Sequence, residues 1–259
     1  MAVAKSLSGV GGRGGIQMDI SELKSHLQHL CESLEHEDRE LLEARLKSLA
    51  SVFPFNEYEY VLMFLRDRRI IKFEEYETLR SNYVSANKYL PLYELAPRVF
   101  GDTWGHKHIM DLDGRFKKPD KLLDPGYDGH YDLWIDGVRI EVKASRAVKE
   151  GEEGSLSTKA LRYGSTDPFW MNFQQIKLDT CDAFIFVGVW VDRIIYWVLS
   201  NDEVKNNHHL SHQHAGGVEY QVGITADNIR DFDEYRVGSN EVGNRVIQKG
   251  QGGRTPPSP

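Results

Sequence analysis

The sequence predicts a mixed α and β fold, of the α+β or α/β class, in which a helical N-terminal region precedes a mixed central β-sheet flanked by helices. Leucines recur at helical spacing between 19 and 53. A stretch at 131–145 alternates polar and apolar residues like a β-hairpin, and two runs at 182–191 and 193–199 are rich in Val, Ile, Phe and Trp. Helices are therefore expected first, and strands in the second half of the chain.

The N-terminal region is predicted to form amphipathic helices, either two helices or one long helix. Its periodic leucines are Leu23, Leu27, Leu30, Leu34, Leu42, Leu46 and Leu49. This apolar stripe is either a dimerisation seam or the core of the region itself, and the second interpretation is favoured because tertiary packing consumes most such stripes. Further helices are predicted at 56–68, 72–87 and 90–99.

A last helix is predicted at 167–178, because Asp167 can cap the free amides of a helix and Pro168 suits its first position. The two apolar runs that follow are predicted strands. The first of them is expected to be buried on both faces, since its apolar residues are continuous rather than alternating.

Composition divides the chain into four predicted parts. The ends, 1–18 and 246–259, combine glycine, proline and serine with little to bury and are predicted to be flexible tails. Between them, 19–89 is predicted to be a helical subdomain and 90–245 the mixed α and β domain, because a sequence dense in Gly, Asp and Pro begins near residue 100.

The composition also excludes some classes of protein. The formal net charge of −7 argues against a protein that coats nucleic acid through bulk positive charge, although a local basic site is compatible with it. Cys31 and Cys181 lack the spacing of a zinc site or a disulfide framework. The longest apolar run, 183–191, is short of the roughly 20 residues that span a bilayer, and residues 1–15 lack the apolar core of a signal peptide. A cytoplasmic protein without membrane attachment is expected.

The hairpin stretch "YDLWIDGVRIEVKAS", residues 131–145, segregates its side chains by face. Asp136-Gly137 predicts a two-residue type I′ turn, since both central positions of that turn have positive φ. Pairing back from this turn sets Asp132 opposite Glu141. Because side chains alternate along a strand, one face holds Tyr131, Leu133, Ile135, Val138, Ile140 and Val142, and the other holds His130, Asp132, Trp134, Arg139, Glu141 and Lys143.

Two directly opposed carboxylates, with Cβ atoms about 4.5–5.5 Å apart, repel each other unless a cation lies between them. Mg²⁺ suits this role, because it takes oxygens from one or two protein carboxylates and keeps water and phosphate oxygens in its other positions. Lys143 lies beside Glu141 and would touch the same site. The alternative is a solvated face on which Lys143 and Arg139 flank Glu141 as ion pairs, but the opposition of two acids favours the metal.

An aspartate on one strand followed by Glu-x-Lys on the next resembles the signature of the PD-(D/E)xK nuclease superfamily. The order of "YDGHYDLWIDGVRIEVKASRA", "DPFWMNFQQIKLDTCDAFIFVGVWVD" and "RIIYWVLS" is similar to the catalytic half of a type II restriction endonuclease, over roughly residues 90–235. Tyr131 stands where the family often has proline, and Asp128 is a rival for the first acid. The resemblance implies a restriction-endonuclease-like core in 90–245.

The resemblance also implies roles for single residues. The catalytic residues would be Asp132, Glu141 and Lys143. Mg²⁺ would be bound by Asp132, Glu141 and the carbonyl of Val142, and Lys143 would act on the attacking water. The implied accessory residues are Glu94, Gln174, Gln175 and Lys177. Glu94 would lie on the helix before the core, with an exposed helical glutamate as the alternative. The other three would lie on the helix at 167–178, of which only one face can reach the site.

The expected DNA contacts come from three parts of the chain. They are Arg115, Lys117, Lys118, Arg146, His212 and His214. The first three belong to a basic stretch that suits phosphate contacts or, equally, an ordinary solvated loop. The histidines fall in "NNHHLSHQHAGG", a polar loop that could read base edges. Zinc binding through His208 and His212 is disfavoured, because no acid or cysteine is spaced to complete the site.

By resemblance, the expected protein is a Mg²⁺-dependent, sequence-specific endonuclease that hydrolyses phosphodiester bonds of double-stranded DNA, as a type II restriction enzyme. A palindromic target implies a homodimer, with the subdomain 19–89 dimerising or clasping DNA, and a restriction-modification system implies a matching DNA methyltransferase. The alternatives are a structure-specific repair or junction nuclease of the same fold and a non-catalytic DNA-binding module. The complete set of two acids and a lysine argues against the last.

Overall fold

The computed structural model describes residues 20–48, 54–212 and 219–252. The described chain divides into two compact units, one with 20–48 and 59–86 and the other with 54–58, 87–212 and 219–252. The predicted domain boundary after residue 89 is therefore close to the observed division after Ala86. The predicted tail at 1–18 and His214 lie outside the described residues.

The N-terminal region is helical, as predicted. Its helices are α1 (Ile20–Glu32), α2 (His36–Ser48), α3 (Pro54–Asp67) and α4 (Phe73–Ala86). A break at 33–35 separates α1 from α2, and Arg39 donates hydrogen bonds across it to the carbonyls of Glu32 (2.8 Å) and Leu34 (3.3 Å). Such carbonyls are the groups that a helix end leaves unpaired. Leu34 and Leu42 are buried within the chain itself, which agrees with a core role for the leucine stripe.

Three short helical segments begin the second unit. They are a 3₁₀ turn at Leu90–Glu94, a π-helix at Val99–Gly105 and α5 (His106–Leu112), which continues directly from the π-helix. The predicted helix at 90–99 is therefore interrupted at 95–96, and helical backbone resumes at 97–98, directly before the π-helix. Leu95 has extended backbone angles, and Pro97 disfavours the helical conformation in Ala96, the residue before it.

The strands of the second unit form two sheets. They are β1 (Leu133–Ile135), β2 (Val138–Arg146), β3 (Val148–Lys149), β4 (Phe169–Ile176), β5 (Ala183–Val189), β6 (Ile194–Ser200), β7 (Leu210–His212), β8 (Tyr220–Thr225) and β9 (Arg236–Val237). The first sheet has the order β1-β2-β5-β6-β9, with β2 and β5 parallel and the other neighbours antiparallel. The predicted mixed sheet is confirmed, and β5 is buried along its whole length. The antiparallel second sheet, β3-β4-β8-β7, was not predicted.

Strand β4 replaces the helix that was predicted at 167–178. Burial along this segment alternates, with Phe169, Met171 and Phe173 inside and Trp170 and Gln174 outside. That period of two is the pattern of a half-buried strand. The cap-like residues before it have other roles: the carboxylate of Asp167 lies 3.6 Å from the Lys149 ammonium, and the Pro168 carbonyl accepts a hydrogen bond from Glu150 (3.0 Å). Asp167 and Pro168 resemble the start of a helix, but the alternation of apolar residues determines the structure of this segment.

The remaining helices of the second unit are α6 (Asn201–Lys205), a 3₁₀ helix at Ile229–Tyr235 and α7 (Val242–Gly252). The predicted tail boundary at 246 falls inside α7 and is corrected by it. Val242 and Val246 are fully buried, and an added Cβ at Gly250 would lie 2.3 Å from a methyl group of Val138. Helix α7 therefore packs closely on the sheet. Among the described helices, none is both long and apolar enough to cross a membrane.

Gly188 on β5 permits the tryptophan packing at the centre of the core. A Cβ there would lie 2.6 Å from the ring of Trp197 and 3.1 Å from the ring of Trp190, and both indoles are fully buried. Gly188→Val is therefore expected to lower the free energy of unfolding by about 1–3 kcal/mol or more through overpacking. Denaturant unfolding measures the effect, with Gly114→Ala, whose Cβ would have no neighbour within 4 Å, as the control. Equal stability of the two variants would contradict the prediction.

Candidate active site

The hairpin has the register that its turn predicts. Asp136 and Gly137 have φ values of 45° and 85°, as a type I′ turn requires. Leu133 pairs with Ile140, Trp134 with Arg139, and Ile135 with Val138. The apolar face is fully buried at Leu133, Ile135, Val138 and Ile140, as predicted, but Glu141 of the predicted polar face is buried as well.

Asp132 lies just before β1, one residue beyond the last ladder pair. Its N–H donates to the carbonyl of Ile140 (2.9 Å), and its Oδ2 accepts a hydrogen bond from the N–H of Val142 (2.8 Å). The carboxylate is thus fixed against β2 beside Val142 instead of pairing through the ladder with Glu141. Because the N–H and C=O of one strand residue point to the same side, the Val142 carbonyl faces the side on which Asp132 lies.

His106, the first residue of α5, is a neighbour of Asp132 that the sequence did not indicate. Its Nε2 lies 3.5 Å from Oδ2 of Asp132. Burial raises the pKa of the Asp132 carboxyl, but the hydrogen bonds from His106 and Val142 and the charge of Lys143 outweigh it and hold the pKa below its ordinary value. Asp132 is therefore held as a carboxylate.

Glu141 is buried and ion-paired. Its Oε1 lies 2.6 Å from the ammonium of Lys143, and its Oε2 is 3.4 Å from the Cys181 thiol and 3.4 Å from the backbone N–H of Lys177. Burial raises the pKa of Glu141, and the nearby charge of Asp132 adds to this increase, while Lys143 opposes it. An anion that is only 3% exposed depends strongly on its cationic partner.

A cleft of about 740 Å³ opens over this part of β2. Three walls surround it. The wall on the β2 side contains Asp132, Val142 and Lys143. The wall on the helical side contains Arg98, Asp102 and His106. The wall on the β4 side contains Trp170, Asn172, Gln174 and Gln175. Glu141 is buried and is not part of the lining, but its ion-pair partner Lys143 is. The structure thus brings two of the three predicted catalytic residues, Asp132 and Lys143, to the cleft lining, while Glu141 contacts Lys143 from beneath it.

The predicted accessory residues meet this cleft in different ways. Gln174 and Gln175 line it, but from a strand, where an irregularity in the pairing of β4 gives Gln175 a φ of 57°. Lys177 contributes its backbone N–H to Glu141. Glu94 ends the 3₁₀ turn, and within the described part of the chain its buried Oε1 has no hydrogen-bond partner.

Arg146, predicted as a DNA contact, lines the cleft and is also held by the fold. Its Nη1 donates to the carbonyls of Leu92 (3.0 Å), Tyr93 (3.3 Å) and Leu95 (2.9 Å), and its guanidinium lies 4.3 Å from the centre of the Phe100 ring. Only 8% of the residue is exposed. Its contacts therefore fasten the 3₁₀ turn to the end of β2.

The other predicted DNA contacts that the structure describes are not among the residues that line the cleft. Arg115 pairs with Asp113 (2.6 Å) and bonds to Asn244 (2.8 Å). Lys117 exchanges backbone hydrogen bonds with Trp134 at the outer side of β1, and Lys118 is exposed next to it. His212 ends β7, with its ring 4.6 Å from that of Tyr220.

Asp128, the rival for the first acid, also lies outside the cleft lining. Its carboxylate is exposed and contacts His130, both through the backbone N–H of that residue (3.3 Å) and near its ring (3.7 Å). Asp132 is the acid whose carboxylate reaches the cleft and β2. The geometry therefore favours Asp132 over Asp128.

Several residues of the cleft were not found from the sequence. Asp102 lies on the π-helix, Arg98 directly before it and His106 directly after it, and the periodicity of the sequence does not reveal this rare type of helix. Trp170 and Asn172 belong to the segment that was predicted to be helical. An alternation count over 169–176 would have placed both on one face of a strand.

No protein-family model, curated protein or solved structure matches this chain. Its function therefore has to be inferred from the residues of the cleft.

Proposed function

We propose that this chain is a Mg²⁺-dependent endonuclease that hydrolyses phosphodiester bonds of double-stranded DNA, acting as a type II restriction enzyme of the PD-(D/E)xK superfamily. One observation carries the proposal. Asp132 accepts a hydrogen bond from the Val142 N–H of β2 and lines one cleft with Val142 and Lys143, and the ammonium of Lys143 is paired with the buried Glu141. A pair of acids with a lysine at this spacing is the arrangement that such chemistry uses.

The donor set fits Mg²⁺. Two carboxylates and a backbone carbonyl are hard oxygen ligands, which Mg²⁺ prefers. The Val142 N–H occupies Oδ2 of Asp132 and leaves the second oxygen to a cation. Both oxygens of Glu141 already have partners in Lys143, the Cys181 thiol and the Lys177 N–H, so a cation would have to replace one of these contacts. Held by Asp132, Glu141 and the Val142 carbonyl, Mg²⁺ would supply Lewis-acid chemistry: a lower pKa for bound water and compensation of phosphate charge.

The other residues of the cleft would bind and orient. Lys143, whose ammonium is fixed by Oε1 of Glu141 (2.6 Å), would hold the attacking water against the scissile phosphate. The amides of Gln174 and Gln175 would donate hydrogen bonds to phosphate oxygens from the opposite wall. Arg98 adds an exposed positive charge at the helical wall, so that a local phosphate site is compatible with the net charge of −7.

The assembly belongs to the proposal. A restriction enzyme that cuts both strands of a palindrome matches the target with two-fold symmetry, so a homodimer is expected, to which the helical region could contribute. A matching DNA methyltransferase would protect the host DNA. The cytoplasmic location likewise stays a prediction.

Incubation with long duplex DNA tests the proposal. With Mg²⁺, we expect discrete fragments on a gel, and with a chelator we expect intact DNA, because the two carboxylates would be left without their cation. Nicking that depends on forks or junctions would point instead to a repair nuclease. Intact but shifted DNA at every Mg²⁺ concentration would identify a binding module and refute the enzymatic assignment.

A further inference from the structure

A second group of metal-ligating side chains lies apart from the cleft. His208 and His209 occupy the turn between α6 and β7, and Asp231 lies on the 3₁₀ helix at Ile229–Tyr235. One ligand atom from each of the three falls within 4.8 Å of the other two. The sequence prediction disfavoured zinc here because no acid was suitably spaced, yet the fold brings Asp231 from more than twenty residues away.

The separations match those of ligands around one ion. Nε2 of His209 lies 2.9 Å from Oδ2 of Asp231, and Nε2 of His208 lies 3.5 Å from the same oxygen. Tetrahedral bonds of about 2.0–2.1 Å place two ligand atoms roughly 3.3 Å apart. Both histidine-to-aspartate distances are close to this value, and the ligand atoms of the two histidines lie within 4.8 Å of each other, so side-chain movements alone would let the three residues share a cation.

The His209 ring is held in place by the surrounding fold. It stacks on the buried Phe232, with centroids 5.5 Å apart and planes at 29°. Its backbone N–H donates to Oδ1 of Asn207 (2.9 Å), and its Nδ1 lies 3.3 Å from the amide nitrogen of Asn228. Since Asn228 is itself fixed by the Thr225 N–H and the Gly223 carbonyl, the ring directs Nε2 at Asp231.

Ion binding would change the position of one proton on His209. The Asn228 amide donates to Nδ1 in the present network, so Nε2 carries the proton and donates to Asp231. An ion would use the lone pair of Nε2, and the proton would then sit on Nδ1. The Nδ1 proton would then face the Asn228 NH2 group, which can only donate, so the ring and this amide would have to move apart from their present 3.3 Å, a cost that the metal–nitrogen bond would have to offset.

We infer that His208, His209 and Asp231 form a three-ligand site for a transition-metal dication of the zinc class, with water in the remaining positions. Imidazole and carboxylate together suit Zn²⁺, Co²⁺ or Ni²⁺, whereas Mg²⁺ prefers oxygen ligands alone. The ion would fasten the turn before β7, the edge strand of the second sheet, to the 3₁₀ helix. The inference is independent of the nuclease proposal.

Zinc competition against a chromophoric chelator tests the site, with the untagged full chain and excess Mg²⁺ to occupy the cleft. We expect one Zn²⁺ per chain and at least about tenfold weaker binding in His208→Ala, His209→Ala and Asp231→Asn. Zn²⁺ should also raise the melting temperature of the native protein, because the ion binds only the folded state, and this increase should disappear in the variants. Asp231→Asn is nearly isosteric and keeps a hydrogen-bond acceptor for His209. This variant should therefore fold, so that a loss of Zn²⁺ binding in it reports on the ligand and not on unfolding.

The neighbouring histidines provide the matched control. His212→Ala and His214→Ala, made together, alter the same histidine-rich segment and should leave Zn²⁺ affinity unchanged. Equal losses in this pair and in His208→Ala would mean that the segment binds zinc non-specifically and would overturn the inference. Stoichiometric binding that survives His209→Ala and Asp231→Asn, or the absence of Zn²⁺ binding to the native chain, would overturn it as well.

Discussion

Lys143→Ala is expected to abolish DNA cleavage and to leave DNA binding largely intact. The proposed nuclease uses the Lys143 ammonium to hold the attacking water, and Glu141 holds that ammonium in turn at 2.6 Å. Loss of a group that handles the reacting proton or water typically lowers a rate by 10²–10⁴-fold, so a decrease of at least about 100-fold is expected. Single-turnover cleavage and a gel-shift titration on the same DNA measure the two effects separately.

The buried position of Glu141 gives the same variant a second consequence. Removal of one partner from a buried ion pair leaves an uncompensated charge and typically costs roughly 3–5 kcal/mol. Lys143→Ala should therefore unfold at lower denaturant concentration than the native protein. Because a cation next to Glu141 would replace the missing charge, Mg²⁺ should raise the melting temperature of Lys143→Ala by more than that of the native protein.

Two further variants separate catalysis from stability. Glu141→Gln combined with Lys143→Met removes both charges together, so it should be more stable than Lys143→Ala and equally inactive. Lys177→Ala is the control, since Lys177 contacts Glu141 through its backbone N–H, which the substitution keeps. Cleavage at the native rate by folded Lys143→Ala would remove Lys143 from the proposed site.

The hairpin could be predicted from the sequence because local chemistry determines it. Positive φ at Asp136 and Gly137 defines the turn, and the turn defines which residues pair. The turn does not determine the exact position of the Asp132 carboxylate. The ladder ends at Leu133, so the carboxylate bonds to Val142 instead of standing opposite Glu141 in a regular pair.

Contacts between distant segments were not predictable in the same way. His106 reaches Asp132 only because the π-helix directly before it packs against β2, and Cys181 reaches Glu141 only because β5 runs parallel to β2 with Ala183 beside Ile140. No local pattern encodes either register. Strand β4 is a different case: its alternation was present in the sequence, but Asp167 and Pro168 imitated the start of a helix.

Arg146→Met is expected to destabilise the second unit strongly, and this result would distinguish a structural role from the predicted DNA contact. The guanidinium donates to three carbonyls of the 3₁₀ turn and of Leu95, which directly follows it, and covers the Phe100 ring. Methionine fills a similar volume but donates no hydrogen bond, so buried carbonyls would lose a charged partner. Such bonds contribute about 1.5–3 kcal/mol each, and a loss of about 3 kcal/mol or more in unfolding free energy is expected.

A purely DNA-binding arginine would behave differently. Its replacement would leave unfolding unchanged, weaken DNA binding and reduce by about one the slope of log affinity against log salt concentration. Arg98→Met supplies this comparison within the same cleft, because the Arg98 side chain is 92% exposed and its only described ion pair, with Asp102, is a surface pair of little energetic weight. Arg98→Met should unfold like the native protein and change only DNA binding and its dependence on salt concentration. If Arg146→Met behaves in the same way, then Arg146 belongs to the DNA-binding surface and its hydrogen bonds to the three carbonyls are dispensable for stability.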